Sequence, residues 1–89
     1  KEKILVTGAS TGIGYALAEE LAKRGSDVII TARSRDKLET LAQKIKDAGG
    51  NAHIFVEDLS LPNSGMKLYD QIKSAGLSID ILINNAGYG

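Results

Sequence analysis

Three glycines near the start of the chain have a spacing that suits the binding of a phosphate group. They lie in the segment Thr7-Gly-Ala-Ser-Thr-Gly-Ile-Gly14, between an apolar run and a helical pattern. Gly8 lets the chain turn sharply, Gly12 removes a side chain where the backbone approaches a phosphate, and Gly14 allows a helix to pack closely on a sheet. The first N–H groups of that helix, and its dipole, then favour a negative charge. Two hydroxyl groups can add hydrogen bonds, those of Ser10 and Thr11.

A glycine-rich turn without a ligand is the alternative for this segment. The strand–turn–helix context favours the nucleotide interpretation over it. The spacing differs from the common G-x-G-x-x-G pattern, because three residues separate Gly8 from Gly12. It also lacks the Gly-Lys-Ser/Thr end of a Walker loop.

Four short apolar runs predict the buried strands that would position this turn. They are Ile4–Val6, Val28–Ile30, Ala52–Val56 and Ile79–Ile83. Apolar residues at helical spacing lie between these runs and predict three helices. The first carries Ile13, Leu17 and Leu21 with alanines between them; the second carries Leu38, Leu41 and Ile45 after a Ser34 N-cap; the third carries Pro62, Met66, Tyr69 and Ile72.

The alternation of strand and helix indicates the fold class. Strands that are apolar on both faces need cover on both faces, which predicts an α/β fold with a parallel sheet and right-handed crossovers. The 89 residues contain no repeat and no low-complexity tract, so we expect one α/β unit.

Composition excludes several classes of protein. Eleven basic residues balance eleven acidic ones, which gives no global reason to expect a nucleic-acid or membrane partner. The absence of Cys and the single histidine, His53, exclude a disulfide framework and a His/Cys metal cluster. No signal peptide or membrane-spanning run is visible, and we expect a cytoplasmic protein.

Three motifs together resemble the short-chain dehydrogenase/reductase family. Besides Thr7–Gly14, Asn84-Asn-Ala-Gly87 is similar to its second motif, and Asp58-Leu59 is similar to its adenine-contacting acidic pair. The resemblance implies a Rossmann-type doubly wound parallel sheet with strand order 3-2-1-4 that binds a nicotinamide dinucleotide at the carboxyl ends of its strands. The implied cofactor-binding residues are Gly8, Ser10, Thr11, Gly12, Ile13, Gly14, Arg33, Ser34, Asp58, Leu59, Asn85 and Ala86.

The residues after the second strand favour NADP over NAD. NAD-binding folds often carry a carboxylate about 20 residues beyond the last glycine, where it binds the ribose hydroxyls. Here that region reads Ala32-Arg33, without a carboxylate. A guanidinium suits a phosphate, and an Asp would repel one. A solvated arginine at a helix entry is the alternative for Arg33.

The other two motifs also have roles implied by the resemblance. Asp58 would accept a hydrogen bond from the adenine amino group, while the Leu59 N–H donates one to the ring. The alternative for Asp58 is to cap the following turn, and it can have both roles at once. Asn85 and Ala86 would lie beside the nicotinamide-side ribose. We expect Asn84 to be structural, with its amide bonded to neighbouring backbone.

The family's reaction, as the resemblance implies it, uses a Tyr, a Lys four positions later and a Ser, all after a fifth strand. We expect residues 1–89 to be the cofactor-binding part of a single longer domain, truncated after the fourth strand and inactive alone. Tyr69 and Lys73 have the right spacing but precede the Asn84–Gly87 motif, so we expect Tyr69 to pack on the sheet.

The expected activity is hydride transfer between NADP and an alcohol or carbonyl substrate, by an enzyme that is a homo-oligomer. A non-catalytic nucleotide-binding or interaction module with the same fold is the alternative. For the fragment itself we expect Ile81, Leu82 and Ile83 on an open edge, where they favour non-native dimerisation.

Overall fold

The computed structural model of the protein describes residues 2–10 and 12–85. In these ranges four strands alternate with three helices: β1 (Lys3–Thr7), α1 (Gly12–Lys23), β2 (Asp27–Ala32), α2 (Arg35–Asp47), β3 (Asn51–Val56), α3 (Ser64–Ser74) and β4 (Ile81–Asn84). The predicted order of elements is confirmed.

The starts of α3 and β4 lie later than the apolar pattern indicated. Pro62 precedes α3, because Asn63 takes a left-handed conformation (φ 64°) that separates it from the helix. Ile79 precedes β4, because the carboxylate of Asp80 accepts the Lys3 N–H at 2.8 Å. The Asp80 backbone N–H donates to the Lys3 carbonyl, also at 2.8 Å, and residue pairing with β1 starts at Ile81.

The strands form one parallel sheet in the order β3-β2-β1-β4, as the family resemblance implied. Val6 of β1 aligns with Ile30 of β2 and with Ile83 of β4. Ile30 in turn aligns with Ile54 of β3. All four carboxyl ends therefore meet at one edge of the sheet, and the chain reverses its direction of strand addition between β1 and β4.

Alternate strand residues face two different layers. On one face Ile4, Val6, Val28 and Ile30 form a buried cluster with side chains of α1 and α2. On the other face Leu5 and Ile29 pack with Leu68 and Ile72 of α3. This is the doubly wound Rossmann-type arrangement, and it explains why the central strands are apolar on both faces.

The most deeply buried residues of α1 are small, although Leu21 of the Leu/Ile stripe also packs against the cluster. Gly14, Ala18 and Ala22 are its buried residues, whereas Ile13 is 77 % exposed. The small residues recur every fourth position and let the helix axis approach the sheet. Larger side chains there would hold the helix away, so close packing turns Ile13 outward.

The prediction that Tyr69 packs on the sheet is wrong. Ser64, Leu68 and Ile72 are the buried residues of α3, while Met66 is 71 % and Tyr69 56 % exposed. Leu68 and Ile72 are four residues apart, so both side chains point into the layer under β1 and β2. Tyr69 directly follows Leu68, so its side chain points in another direction around the helix axis, toward solvent.

The fourth strand lies at an edge of the sheet and is partly covered. Ile81 and Leu82 are exposed, and Ile83 packs against the cluster under α1 and α2. Within residues 2–10 and 12–85, no helix combines the length and the apolar character that crossing a bilayer requires.

Candidate functional site

The turn between β1 and α1 is held to the neighbouring strand by its backbone. The N–H of Ala9 donates to the carbonyl of Thr31 at 3.1 Å, so Ala9 is buried beneath the turn. Gly8 has φ 65° and Gly12 has φ 58°, conformations that residues with a side chain rarely adopt. Ser10 is half-buried, and Thr11 lies outside the described residues.

Gly12 borders open space at the amino end of α1. A Cβ atom built on it would meet no protein atom within 4 Å. The first turn of α1 carries no acidic side chain, so no carboxylate offsets the partial positive charge of its amides. A group with negative charge therefore fits beside Gly12, and the absence of a side chain lets it approach the backbone.

Gly14 has no room for a side chain. A Cβ atom there would lie 2.5 Å from the Gly8 carbonyl oxygen and 2.5 Å from Nδ2 of Asn85. The close approach predicted for this glycine therefore involves the turn after β1 and the segment after β4. Asn85 Nδ2 also donates to the Gly8 oxygen, at 3.4 Å.

Thr7 joins the ends of β1 and β4 through its hydroxyl group. Its oxygen accepts the Asn85 N–H at 2.9 Å, and the hydroxyl donates to Oδ1 of Asn84 at 3.0 Å. The side chain is almost fully buried. No role was predicted for Thr7 from the sequence; a hydroxyl at the end of a buried strand, directly before a glycine turn, was the available signal.

The hydrogen-bond partner of the Asn84 side chain differs from the one expected. Its side-chain oxygen accepts from the Thr7 hydroxyl, a side-chain group, whereas neighbouring backbone was expected. The reason is the register, which places Thr7 directly beside Asn84 across the parallel pair. Asn85 lies next to the glycine turn, and Ala86 lies outside the described residues.

Arg33 and Ser34 follow β2 at the same edge of the sheet. Arg33 is exposed, and Ser34 is the N-cap of α2, where its oxygen accepts the Lys37 N–H at 3.4 Å. The preceding Ala32 accepts the N–H of Glu57, which lies directly after β3, at 3.0 Å. The ends of β2 and β3 are thereby held side by side.

Asp58 caps the turn that follows β3, which is the alternative role predicted for it from the sequence. Its Oδ1 atom accepts the Ser60 N–H at 3.0 Å and the Ser60 hydroxyl at 2.6 Å. The Ser60 hydroxyl, the Ser60 amide and the charge of Arg33 lower the pKa of this carboxyl from its ordinary value of 3.8. Leu59 is half-buried against the cluster under α3.

The structure thus brings the candidate residues together in two groups at one sheet edge. Gly8, Gly14 and Asn85 contact one another where β1 and β4 end. Arg33 and Asp58 lie within electrostatic reach where β2 and β3 end. Ile13, the second residue of α1, has its side chain in solvent.

Two open concavities of about 550 and 600 Å³ flank α2. The first is lined only by polar and charged residues of α2. Among residues 2–10 and 12–85, no three His, Cys, Asp or Glu side chains are placed to hold a metal ion.

Known proteins share this architecture. A metagenomic short-chain oxidoreductase in complex with NADP superposes with a TM-score of 0.91 at 39 % identity, over 99 % of this chain and 40 % of that one. A short-chain dehydrogenase from Sphingobium yanoikuyae in complex with NADPH gives a TM-score of 0.87 at 36 % identity, over 100 % of this chain and 35 % of that one.

Sequence relatives agree with the structural neighbours. The uncharacterized oxidoreductase YxbG of Bacillus subtilis is 47 % identical over 83 residues, which are 93 % of this chain and 30 % of that protein. The chain therefore spans about a third of the length of that relative. A model of the short chain dehydrogenase family matches residues 2–89. With the parallel 3-2-1-4 sheet and the glycine turn at its switch point, this match means that the chain belongs to the short chain dehydrogenase family.

Proposed function

We propose that this chain is the cofactor-binding part of an NADP-dependent oxidoreductase that moves hydride between the nicotinamide and an alcohol or carbonyl substrate. The observation that carries the proposal is the geometry of the β1–α1 turn. Gly12 combines a left-handed conformation with open space at the amino end of a helix whose first turn holds no acid. A diphosphate needs this combination of uncompensated amides and close backbone approach.

In this proposal the two groups of residues divide the coenzyme between them. The amides of Gly12, Ile13 and Gly14, with the hydroxyls of Ser10 and Thr11, bind the diphosphate beside Gly8. Asn85 and Ala86 lie beside the nicotinamide-side ribose, and Asp58 with the Leu59 amide binds the adenine. The bound nicotinamide supplies the hydride chemistry.

Arg33 and Ser34 are assigned to the phosphate that distinguishes NADP from NAD. The Arg33 guanidinium is exposed and offers a planar set of donors. The Ser34 oxygen already accepts from Lys37, so its own O–H can donate to a phosphate oxygen. The two aligned neighbours cited above were solved with NADP and NADPH, which supports this choice of coenzyme.

The remaining parts of the proposal concern the whole protein. On the family resemblance, a Tyr, a Lys and a Ser outside residues 1–89 act on the substrate, so these residues alone bind coenzyme without turnover. The enzyme is proposed to be a cytoplasmic homo-oligomer. Its substrate carries an alcohol or carbonyl group.

Coenzyme titration of the full-length gene product tests the proposal. We expect NADPH to bind more tightly than NADH, and Arg33→Ala to weaken NADPH by about 1–3 kcal/mol while leaving NADH unchanged, because a charged hydrogen bond to the extra phosphate is lost. Arg24→Ala is the matched control, since Arg24 is an exposed arginine paired with Glu20 on α1. Equal affinity for the two coenzymes would contradict the role of Arg33.

A turnover assay separates the enzyme from the alternative module. The full-length gene product is incubated with NADPH and a panel of aldehydes and ketones, and the loss of NADPH absorbance is followed. Oxidation of NADPH that depends on an added carbonyl compound supports the enzymatic function. Tight coenzyme binding without any turnover supports the non-catalytic module.

A further inference from the structure

Ser60 is a polar residue beside the sheet edge where β2 and β3 end. It follows β3 by four residues and is exposed. Both of its hydrogen-bond donors, the amide and the hydroxyl, converge on the same carboxylate oxygen, Oδ1 of Asp58. The hydroxyl contact is the shorter, at 2.6 Å, as expected for an O–H donor on a charged acceptor.

The turn that carries Ser60 is itself held at both ends. Leu61 donates its N–H to the Asp58 carbonyl at 3.1 Å. The Leu61 carbonyl in turn accepts the hydroxyl of Ser64 at 2.8 Å, and Ser64 is buried at the start of α3. Because Ser60 sits between two anchored residues, its hydroxyl holds the Asp58 side chain in one orientation.

The two oxygens of Asp58 are therefore not equivalent. Oδ1 receives both hydrogen bonds from Ser60, and neither of them goes to Oδ2. The positive charge of Arg33 acts on the same carboxyl, which is ionised at neutral pH. An ionised carboxylate is an acceptor only, so it favours a ligand that presents an N–H and disfavours one that presents a carbonyl oxygen.

We propose that Ser60 is a positioning residue, which holds Asp58 so that its second oxygen selects a purine with an amino group over one with a carbonyl at the same place. The inference rests on the proposed function, because the purine belongs to the coenzyme. Ser60 acts only through Asp58. Its loss therefore affects recognition of the amino group and leaves the rest of the coenzyme site intact.

The test compares two coenzymes that differ at this edge of the purine, where deamination replaces the amino group by a carbonyl and places a proton on the adjoining ring nitrogen. Dissociation constants of the full-length gene product are measured for NADPH and for its deaminated form, which carries hypoxanthine in place of adenine. We expect the wild type to prefer NADPH. In Ser60→Ala, NADPH binding weakens by about 3- to 10-fold, as for the loss of one supporting hydrogen bond, while binding of the deaminated coenzyme changes less than about twofold.

Three further variants make the result specific. Ser60→Thr keeps the hydroxyl and retains the wild-type preference. Asp58→Asn abolishes the preference, because its amide presents an N–H donor as well as an oxygen. Ser78→Ala, at another exposed serine, leaves both constants unchanged.

The inference is overturned if Ser60→Ala binds NADPH as the wild type does, or if it weakens both coenzymes equally, as a merely structural role would. A wild type without any preference between the two coenzymes overturns it as well. A wild type that binds neither of them contradicts the proposed function itself, so the two failures are distinguishable.

Discussion

The hydroxyl oxygen of Thr7 accepts the backbone N–H of Asn85 at 2.9 Å, which ties the end of β1 to the residue that follows β4. Both strand ends border the point where the direction of strand addition reverses. Open α/β sheets bind their ligands at such a point. The contact therefore sets the spacing between the two loops assigned to the coenzyme.

Removing this hydroxyl is expected to destabilise the protein. Thr7→Val keeps the β-branched shape but leaves the Asn85 N–H and Asn84 Oδ1 without their partner, at a cost of about 1–3 kcal/mol in the free energy of unfolding. Thr7→Ser keeps the hydroxyl and should retain most of that stability. Urea unfolding of the full-length gene product, followed by circular dichroism, measures the difference; equal loss in both variants would contradict the role of the hydroxyl.

Gly14→Ala is expected to cost about 1–3 kcal/mol of stability, because the added Cβ would overlap the Gly8 carbonyl and Nδ2 of Asn85. Gly65→Ala is the matched control in another helix. No atom lies within 4 Å of its added Cβ, and alanine favours a helix over glycine by up to about 1 kcal/mol. The melting temperature should fall in Gly14→Ala and rise in Gly65→Ala. A stable Gly14→Ala protein would disprove the close approach.

Gly12→Ala should impair coenzyme binding more than folding. Gly12 and Gly49 both have positive φ and open space around an added Cβ, so alanine at either place costs about 1–2 kcal/mol in backbone strain. Only the alanine at Gly12 enters the space assigned to the diphosphate. We expect Gly12→Ala alone to weaken NADPH by about tenfold or more, equivalent to ~1.4 kcal/mol, as measured by fluorescence titration. Similar NADPH affinities in the two variants would count against the assigned site.

The ionisation of Asp58 predicts a pH dependence of stability. Its pKa is lowered in the folded state by the Ser60 hydrogen bonds and the Arg33 charge, so the charged carboxyl stabilises the fold above the ordinary pKa of 3.8. That contribution is lost as the pH falls from about 3.8 through the lower folded pKa. Asp58→Asn keeps an acceptor oxygen but does not titrate.

The melting temperatures of wild type and Asp58→Asn, measured from pH 6 to about pH 2.5, test this sign. The excess of the wild-type melting temperature over that of Asp58→Asn should be constant above about pH 5 and should shrink as the pH falls below the ordinary carboxyl pKa. In Ser60→Ala the main cause of the lowered pKa is absent, so the loss should still begin near the ordinary carboxyl pKa but should be smaller and complete at a higher pH. Parallel curves for wild type and Asp58→Asn would show that the carboxyl is not stabilised by folding.

Local patterns in the sequence were enough to identify the elements and the edge that carries the candidate site. Short apolar runs such as Val28–Ile30 and glycines such as Gly25, whose N–H closes α1 on the Ala22 carbonyl, place strands and helix ends through interactions within a few residues. The order of the strands was implied by the resemblance of the motifs to the family, and the sheet has that order.

Which side chains face inward was decided only by the tertiary structure. In α1 the alanines Ala18 and Ala22 are buried while Ile13 is exposed, and in α3 Tyr69 is exposed beside the buried Leu68. The partner of Asn84 likewise depends on the register that places Thr7 next to it. Periodicity indicates that a helix has an apolar side, but its rotation is set by how closely it can approach the sheet, and that distance depends on residues far apart along the chain.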